Sequence, residues 1–152
     1  MKFVKIFALV LALIITVLPV SAFASAETLP AGYAGNSTSL ITVKNPASVT
    51  SSTTNRICVI SAVAVSGTKV TLYSYDSAKG QYTKMYSDGK ALEAVVGAAG
   101  LYAQSISLKN GVNTILVVAS SGNNVETVRL DITMVKSEAA DNIINIWQTL
   151  IN

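Results

Sequence analysis

Histidine is absent from this sequence of 152 residues, and cysteine occurs only once, as Cys58. Without histidine the chain cannot build a Ser-His-Asp triad, a Cys-His pair or a histidine-ligated zinc site. One cysteine cannot close an internal disulfide, so burial and hydrogen bonds must hold the fold. The sequence also has no phosphate-binding loop and no redox pair. It therefore predicts no cofactor, no metal site and no catalytic residue.

Charged residues are also scarce, at 12% of the chain, and the formal net charge is only +3. Two of the eleven basic residues, Lys2 and Lys5, lie in a predicted leader. Without them nine basic residues face eight acidic ones, which leaves a net charge of +1. Such a chain offers no basic surface for phosphate groups. We therefore predict no nucleic-acid partner and no attraction to anionic lipid.

Residues 1–26 have the pattern of a secretory signal peptide. The two lysines precede an almost unbroken apolar run over residues 7–20, and two small-x-small cleavage sites follow, ending at Ala24 and Ala26. A permanent membrane anchor is the alternative, but the run is short for a span and contains a proline near its end. We therefore predict cleavage before Ser25 or Glu27 and no stable membrane insertion of the mature chain. The predicted location is extracellular or in the cell envelope.

The mature chain is predicted to be a single domain built from strands. Residues 27–38 are small and polar without periodicity, which predicts a flexible arm. Residues 39–136 form short β-branched and apolar runs separated by turn residues such as Asp88-Gly89. A serine- and threonine-rich stretch, residues 48–55, is typical of a solvated loop. Seven or eight short strands at regular spacing predict an all-β, antiparallel sandwich.

Two neighbouring runs predict a hairpin with a defined register. If Asp76 faces Gln81, then Leu72 lies opposite Met85 on an apolar face. The opposite face is aromatic and polar, and it collects Tyr73, Tyr75, Tyr82, Lys84 and Tyr86. Alternation along this and the other strands predicts a core made of Leu72, Met85, Tyr102, Ile106, Ile115, Val117, Leu130 and Ile132.

The C-terminal segment, residues 137–152, changes to a helical period. Its apolar residues fall mostly three or four positions apart and form one stripe of Ala140, Ile143, Ile144, Trp147, Leu150 and Ile151. Ser137 can cap the N-terminus of such a helix, and Glu138 and Asp141 suit its positive end. An isolated helix of about 14 residues is marginal in water. We predict an amphipathic helix that covers a sheet, with a dimer seam or a membrane-surface element as the alternatives.

A pattern in residues 100–119 resembles a known family. A glycine precedes an aromatic residue on one strand, and a Leu-x-x-Gly-x-Asn turn leads into a strand that ends in alanine, at Gly100, Tyr102, Leu108, Gly111, Asn113 and Ala119. This pattern is similar to bacterial immunoglobulin-like sandwich modules such as the accessory domain of glucodextranases. The resemblance spans about residues 40–134. It implies an immunoglobulin-like fold in an extracellular accessory or adhesive module that is not an enzyme. Those modules continue into an Asp-rich turn, whereas this chain has Ser120-Ser121-Gly122-Asn123, which weakens any calcium site carried over from them.

The aromatic-polar face of the hairpin is the predicted ligand-binding site. Tyrosine joins apolar area to a polar tip, so a row of such rings can stack on sugars or on a protein. Cross-strand packing of the rings is the alternative. We predict that Tyr73, Tyr75, Tyr82, Lys84 and Tyr86 contact a surface glycan or protein, with Tyr75 and Tyr82 at the centre. The chain would then be a secreted, non-enzymatic binding or adhesion module at a bacterial surface.

Other hypotheses stay open on the sequence alone. A carbohydrate-binding module would use the same tyrosine face. A small secreted hydrolase would need two converging carboxylates, whereas the acidic residues are scattered along the chain. Cys58 lies in an apolar run and is interpreted as a buried small side chain, with an intermolecular disulfide as the alternative. The C-terminal helix could also support self-association.

Overall fold

Strands are the only regular structure in the part of the chain that the computed structural model describes, residues 25–136. The predicted C-terminal helix and residues 1–24 of the predicted signal peptide lie outside these residues. Twelve strands follow one another along the chain: β1 (Thr28–Pro30), β2 (Ile41–Asn45), β3 (Thr50–Thr53), β4 (Ile57–Ala64), β5 (Lys69–Asp76), β6 (Gln81–Lys84), β7 (Tyr86–Ser87), β8 (Lys90–Ala91), β9 (Glu93–Val95), β10 (Leu101–Ser107), β11 (Gly111–Ser121) and β12 (Asn124–Met134).

The strands form two main sheets and one small ribbon. The large sheet has the order β1-β6-β5-β11-β12-β3, and β9 also pairs with β5. The small sheet has the order β10-β4-β2, and β7 pairs with β8. Every pairing is antiparallel except that of β12 with β3, which is parallel. The predicted all-β class with antiparallel sheets is therefore confirmed.

The number of strands is larger than the seven or eight predicted, because several short strands lack an apolar signal. β3 lies within the serine- and threonine-rich stretch that was predicted to be a loop. It pairs through its backbone with residues 131–134 of β12, and backbone pairing needs no apolar side chain. β2 ends at Asn45, directly before Pro46, because a proline has no amide hydrogen to donate to a ladder.

The predicted hairpin register is confirmed as far as Lys84. Tyr75 pairs with Tyr82 and Tyr73 with Lys84, and the amide of Met85 donates to the carbonyl of Leu72 over 2.9 Å. β6 ends at Lys84, and farther along β5 Val70 pairs with Ala94 of β9. Beyond β6 the chain makes a separate turn, where Asp88 and Gly89 both have positive φ angles of 50° and 74°.

The main core lies between the two sheets and contains all eight predicted residues. Leu72, Ile115, Val117, Leu130 and Ile132 are buried on the large sheet, and Tyr102 and Ile106 face them from β10. Met85 is half-buried against the same cluster. Strand parity therefore identified the inward face correctly on four separate strands.

A second apolar cluster lies on the outer face of the large sheet. It joins Tyr73, Tyr82, Leu116 and Val118 of the sheet to Leu29 of β1. Tyr33 and Val125 pack against this cluster from its margin. The large sheet is therefore buried on both faces around Tyr73, Tyr82 and the middle of β11, which explains why β11 reads there as the continuous apolar run Ile115–Ala119 rather than as an alternating strand.

The cover of this second cluster is the N-terminal segment, defined here as residues 25–37. β1 pairs with β6 at one end of the segment, and the amides of Asn36 and Ser37 donate to the carbonyl of Val125 on β12 at the other. Between these ends the segment crosses the outer face of the large sheet. The prediction of a flexible arm over residues 27–38 is wrong in this respect, because Leu29 and backbone hydrogen bonds dock the segment, although its composition is polar.

The docked segment approaches the sheet closely at Gly35. A Cβ atom at this position would lie 2.8 Å from the Cα atom of Glu126 and still closer to the carbonyl oxygen of Val125. Only glycine permits this approach of two backbones. Glu126 also holds the next part of the chain, because its Oε2 accepts hydrogen bonds from the amides of Leu40 and Ile41 at 2.6 and 3.0 Å.

Residues 25–136 contain no helix that is long and apolar enough to cross a membrane.

Candidate functional site

The structure divides the predicted tyrosine site into a buried part and an exposed part. Tyr73 and Tyr82 are only 1% and 3% exposed, and Lys84 is also buried. Tyr75 and Tyr86 remain accessible, at 38% and 51%. The expectation that all five side chains form one exposed face is therefore wrong. The physical reason is that the N-terminal segment covers the centre of that face.

The buried side of the tyrosine site is held by hydrogen bonds to the N-terminal segment. Lys84 Nζ donates to the carbonyl of Ser25 over 2.6 Å and to Glu27 Oε1 over 2.7 Å. Tyr73 Oη donates to the carbonyl of Ala26 over 2.8 Å. Each buried polar tip is thus satisfied inside the chain, and neither group is available for a ligand.

Glu27 is the electrostatic centre of this contact. Its carboxylate accepts hydrogen bonds from Lys84 and, over 2.6 Å, from Tyr86 Oη, and these bonds lower the pKa of Glu27. Burial opposes the charge on Lys84, but the hydrogen bond and the nearby charge of Glu27 outweigh it, so the pKa of Lys84 is raised. The hydrogen bond to Glu27 likewise raises the pKa of Tyr86. Glu27, Lys84 and Tyr86, together called the clasp below, therefore hold the N-terminal segment against β6.

Acid is expected to weaken this clasp. A carboxyl group whose pKa is lowered on folding stabilises the fold above its unfolded pKa, and that stability is lost as the pH falls through the folded pKa. Glu27, Glu93 and Asp131 all have lowered pKa values, Glu93 chiefly through a hydrogen bond from Ser25 Oγ and Asp131 chiefly through one from Thr114. The free energy of unfolding should therefore fall as the pH drops below about 4.5. Urea unfolding at a series of pH values measures this, and Glu27→Gln should flatten the curve. Identical pH curves for Glu27→Gln and the parent would show that the clasp does not form.

The exposed part of the tyrosine site is too small for a stacking platform. Tyr75 packs edge-on against Tyr82, with ring centroids 5.2 Å apart and an interplanar angle of 62°. This is the cross-strand packing that was the alternative interpretation of the tyrosines. The hydroxyl of Tyr86 is engaged by Glu27. Two exposed rings remain, of which Tyr75 packs against Tyr82 and Tyr86 is hydrogen-bonded to Glu27.

A different surface, on the small sheet, is apolar and exposed. Ile57, Val59, Val63 and Val65 share one parity along β4 and just past its end, with Ser61 between Val59 and Val63, and Leu101 of β10 pairs directly with Val63. Their exposed fractions run from 42% for Val59 to 69% for Leu101. Neither β4 nor β10 contains a charged residue. These five residues are called the apolar face below.

The apolar face arises because β4 is apolar at both parities. Ile60, Ala62 and Ala64 point into the core, so the other apolar residues of the strand must point away from it. The sequence shows an apolar run around Cys58, but no function was predicted for that run. The signal was present, since a strand buried on one face only should be polar on the other. Clustered exposed aliphatic side chains of this kind mark interaction surfaces.

All six carboxylates within residues 25–136 have structural partners. Asp76 accepts hydrogen bonds from the amides of Ala78 and Lys79 in the turn after β5. Glu126 accepts from the amides of Leu40 and Ile41. Asp131 accepts from the Thr114 hydroxyl and the Arg129 guanidinium. Glu93 contacts Ser25 and Lys69, Glu27 forms the clasp, and Asp88 accepts from Ser87. In the described residues no three histidine, cysteine or acidic side chains come together as metal ligands. Each of these carboxylates thus stabilises a contact within the fold.

Cys58 lies at the edge of the main core. It is a half-buried free thiol, and burial raises its pKa, which disfavours the reactive thiolate. Cys58 also lines a groove at one end of the sandwich, together with Ile57 and Val59 of β4 and Thr53 of β3. The structure therefore supports the interpretation of Cys58 as a small packing residue.

No protein family, curated protein or solved structure matches the chain.

Proposed function

We propose that the chain is an exported, non-enzymatic binding module with an immunoglobulin-like fold, and that its contact surface for a protein partner is the apolar face. The strand order supports the fold. In immunoglobulin-like sandwiches, strands A, B and E share one sheet, and strands C, F and G share the other. Taken in chain order, β2, β4 and β10 correspond to the first set, and β5, β11 and β12 to the second.

The observation that carries the functional proposal is the composition of the small sheet. A sheet face exposed to water normally carries polar side chains, yet β4 and β10 expose four aliphatic residues, with Val65 just past β4 as a fifth, and carry no charge. Burying such a face against another protein removes apolar area from water, at about 25 cal/mol per Å². A protein surface with an apolar centre is the matching partner, since the aliphatic side chains of the apolar face can be buried against it but cannot hydrogen-bond to the hydroxyls of a glycan.

The two alternative functions have weaker support. A carbohydrate-binding module would need the tyrosine face, whose centre is closed by the N-terminal segment. A hydrolase would need two free carboxylates across a cleft, whereas the described carboxylates are occupied by amides, hydroxyls and cations. Export itself rests on the sequence pattern of residues 1–26 and stays a prediction.

Binding of the exported protein to the surface of the producing cells tests this proposal. The fluorescently labelled chain should bind saturably, and Val59→Lys combined with Val63→Lys should weaken binding at least about tenfold, because a charge is forced into the apolar contact. Val95→Lys and Val112→Lys are matched controls, since both valines are exposed strand residues outside the apolar face. Circular dichroism confirms that each variant is folded.

Treatment of the cells separates the kinds of partner. Protease treatment should abolish binding, and periodate oxidation of glycans should leave it unchanged. Equal loss of binding in the control variants would contradict the proposed surface. Binding that survives protease but is lost after periodate would favour the carbohydrate-binding alternative.

A further inference from the structure

We propose that the open edge of β10 pairs with β10 of a second copy of this chain, so that two small sheets join into one sheet of six strands. The inference concerns an edge of the small sheet, whereas the proposed function concerns one of its faces. Two copies can therefore pair whether or not a partner binds the apolar face. Three observations support the pairing: the features of the other sheet edges, the direction of the backbone groups of β10, and the sequence of that strand.

The two main sheets have four end strands, and three of them carry features that hinder pairing with another chain. β1 has three residues and includes Pro30, and β3 has four residues. β2 has five residues, the charged Lys44 and a register shift between Val43 and Asn45. Short length, proline, charge and irregular register are the features by which natural proteins keep a sheet edge from adding a strand.

β10 is the fourth end strand and has none of these features. Its seven residues, Leu101–Ser107, include no charge, proline or glycine. Its pairing with β4 runs through all seven residues without a register shift. The other open stretches of the two sheets are shorter, and those of β9 and β12 carry the charges of Glu93 and Arg129. Among the described residues, β10 is therefore the sheet edge best suited to pairing.

The outward backbone groups of β10 belong to its odd-numbered residues. The amide of Ala64 donates to the carbonyl of Gly100 over 2.8 Å, and the amide of Leu108 donates to the carbonyl of Arg56 over 2.8 Å. Both bonds follow the register of β10 with β4, so the even-numbered residues of β10 are the ones that bond to β4. The amides and carbonyls that point to the open edge are those of Leu101, Ala103, Ser105 and Ser107.

These outward residues lie on an accessible edge. All four are exposed. The carbonyl of Ser105 accepts a hydrogen bond from Gln104 Nε2 over 3.1 Å, and a carbonyl oxygen can accept a second one. In residues 25–136 no strand pairs with this side of β10. The edge thus presents donors and acceptors at the spacing that another extended strand can match.

A second copy of β10 matches this edge when the two strands run antiparallel about Gln104. Ala103 then lies opposite Ser105 of the second copy, and Leu101 lies opposite its Ser107. All four pairs join outward residues, and two hydrogen bonds at each pair give about eight in total. The two Gln104 carboxamides face each other, and each can both donate and accept. Since β10 has no charge, no like charges oppose one another.

The pairing has a defined symmetry, with a consequence for the apolar face. Each copy offers the same strand, so the dimer has a twofold axis and closes without further copies. Residues directly opposite each other in an antiparallel pair point to the same side of the sheet. The apolar faces of the two copies therefore lie side by side, on one side of the six-stranded sheet.

Amide hydrogen exchange of the exported full chain, followed by NMR at two protein concentrations, tests the pairing residue by residue. At the higher concentration, sedimentation equilibrium should show a dimer, and the amides of Ala103 and Ser105 should exchange slowly. On dilution to the monomer their exchange should accelerate at least about tenfold. The amides of Tyr102 and Gln104 should stay protected at both concentrations, because they bond to β4.

Charged variants test the register. Ala103→Lys combined with Ser105→Lys places like charges opposite each other and should raise the dissociation constant of the dimer at least about tenfold. Ala103→Glu combined with Ser105→Glu should do the same. An equimolar mixture of the two double variants should form a mixed dimer, because opposite charges then face each other. Val95→Lys combined with Val112→Lys is the matched control and should leave the dimer unchanged, since both valines are exposed strand residues outside β10.

Other outcomes would overturn the inference. A monomer at every concentration, with fast exchange of the Ala103 and Ser105 amides, would show that the edge stays open. Slow exchange of these amides in a monomer would show that another segment of the same chain occupies the edge. A dimer in which they exchange fast, or which the charged variants leave unchanged, would use another surface. None of these outcomes depends on cell binding, so each leaves the proposed function to its own test.

Discussion

Removing residues 25–33 is expected to unfold the chain or to lower its free energy of unfolding by at least about 3 kcal/mol, since each large apolar side chain that loses its cover costs roughly 1.5–3 kcal/mol. The deletion takes away Leu29 and Tyr33 and uncovers the second apolar cluster around Tyr73 and Tyr82. It also removes the carboxylate and the carbonyl that bind the buried Lys84. A buried ammonium without partners is strongly destabilising.

Urea unfolding of the deleted and parent chains measures this effect. Because the deleted chain is expected to fold poorly, Leu29→Ala provides a second measurement and should cost about 2–5 kcal/mol. Leu29→Met keeps the volume and should cost less than about 1.5 kcal/mol. If the deletion leaves the unfolding midpoint unchanged, the N-terminal segment is not part of the fold and the tyrosine face is open.

Truncation of the main core is expected to have the other large effect. Leu130→Ala and Ile115→Ala should each lower the free energy of unfolding by about 2–5 kcal/mol, because both side chains are buried between the sheets and leave a cavity. Val112→Ala is the matched control on the same strand as Ile115. It is 69% exposed and should change stability by less than about 0.5 kcal/mol. Losses below about 0.5 kcal/mol at both core positions would mean that the strand register is wrong.

Strand parity predicted most of the main core, because the side chains of a strand alternate between two faces. Leu72, Tyr102 and Ile132 were identified in this way, and the hairpin register followed from its turn. The same rule could not show whether the opposite face of a strand meets water or another part of the chain. Tyr73 and Tyr82 were therefore correctly paired with their neighbours and wrongly expected to be exposed.

The error arose from a segment whose composition hides its role. Residues 25–37 contain few apolar residues, and the docking depends on Leu29, on backbone hydrogen bonds and on the close approach at Gly35. None of these leaves a periodic signal. The apolar face was missed for the opposite reason: its residues were visible in the β4 run, but a continuous apolar strand is equally typical of burial on both faces.

Site-specific photo-crosslinking tests the central claim, that the apolar face is the contact surface, most directly. A benzophenone amino acid placed at Val63 of the full chain, and in parallel at Val112 and Tyr75, is irradiated while the protein is bound to the producing cells. We expect adducts with a cell-surface protein from position 63 and none from positions 112 and 75. Adducts that form from Tyr75 but not from position 63 would contradict the claim and return the binding site to the tyrosine face.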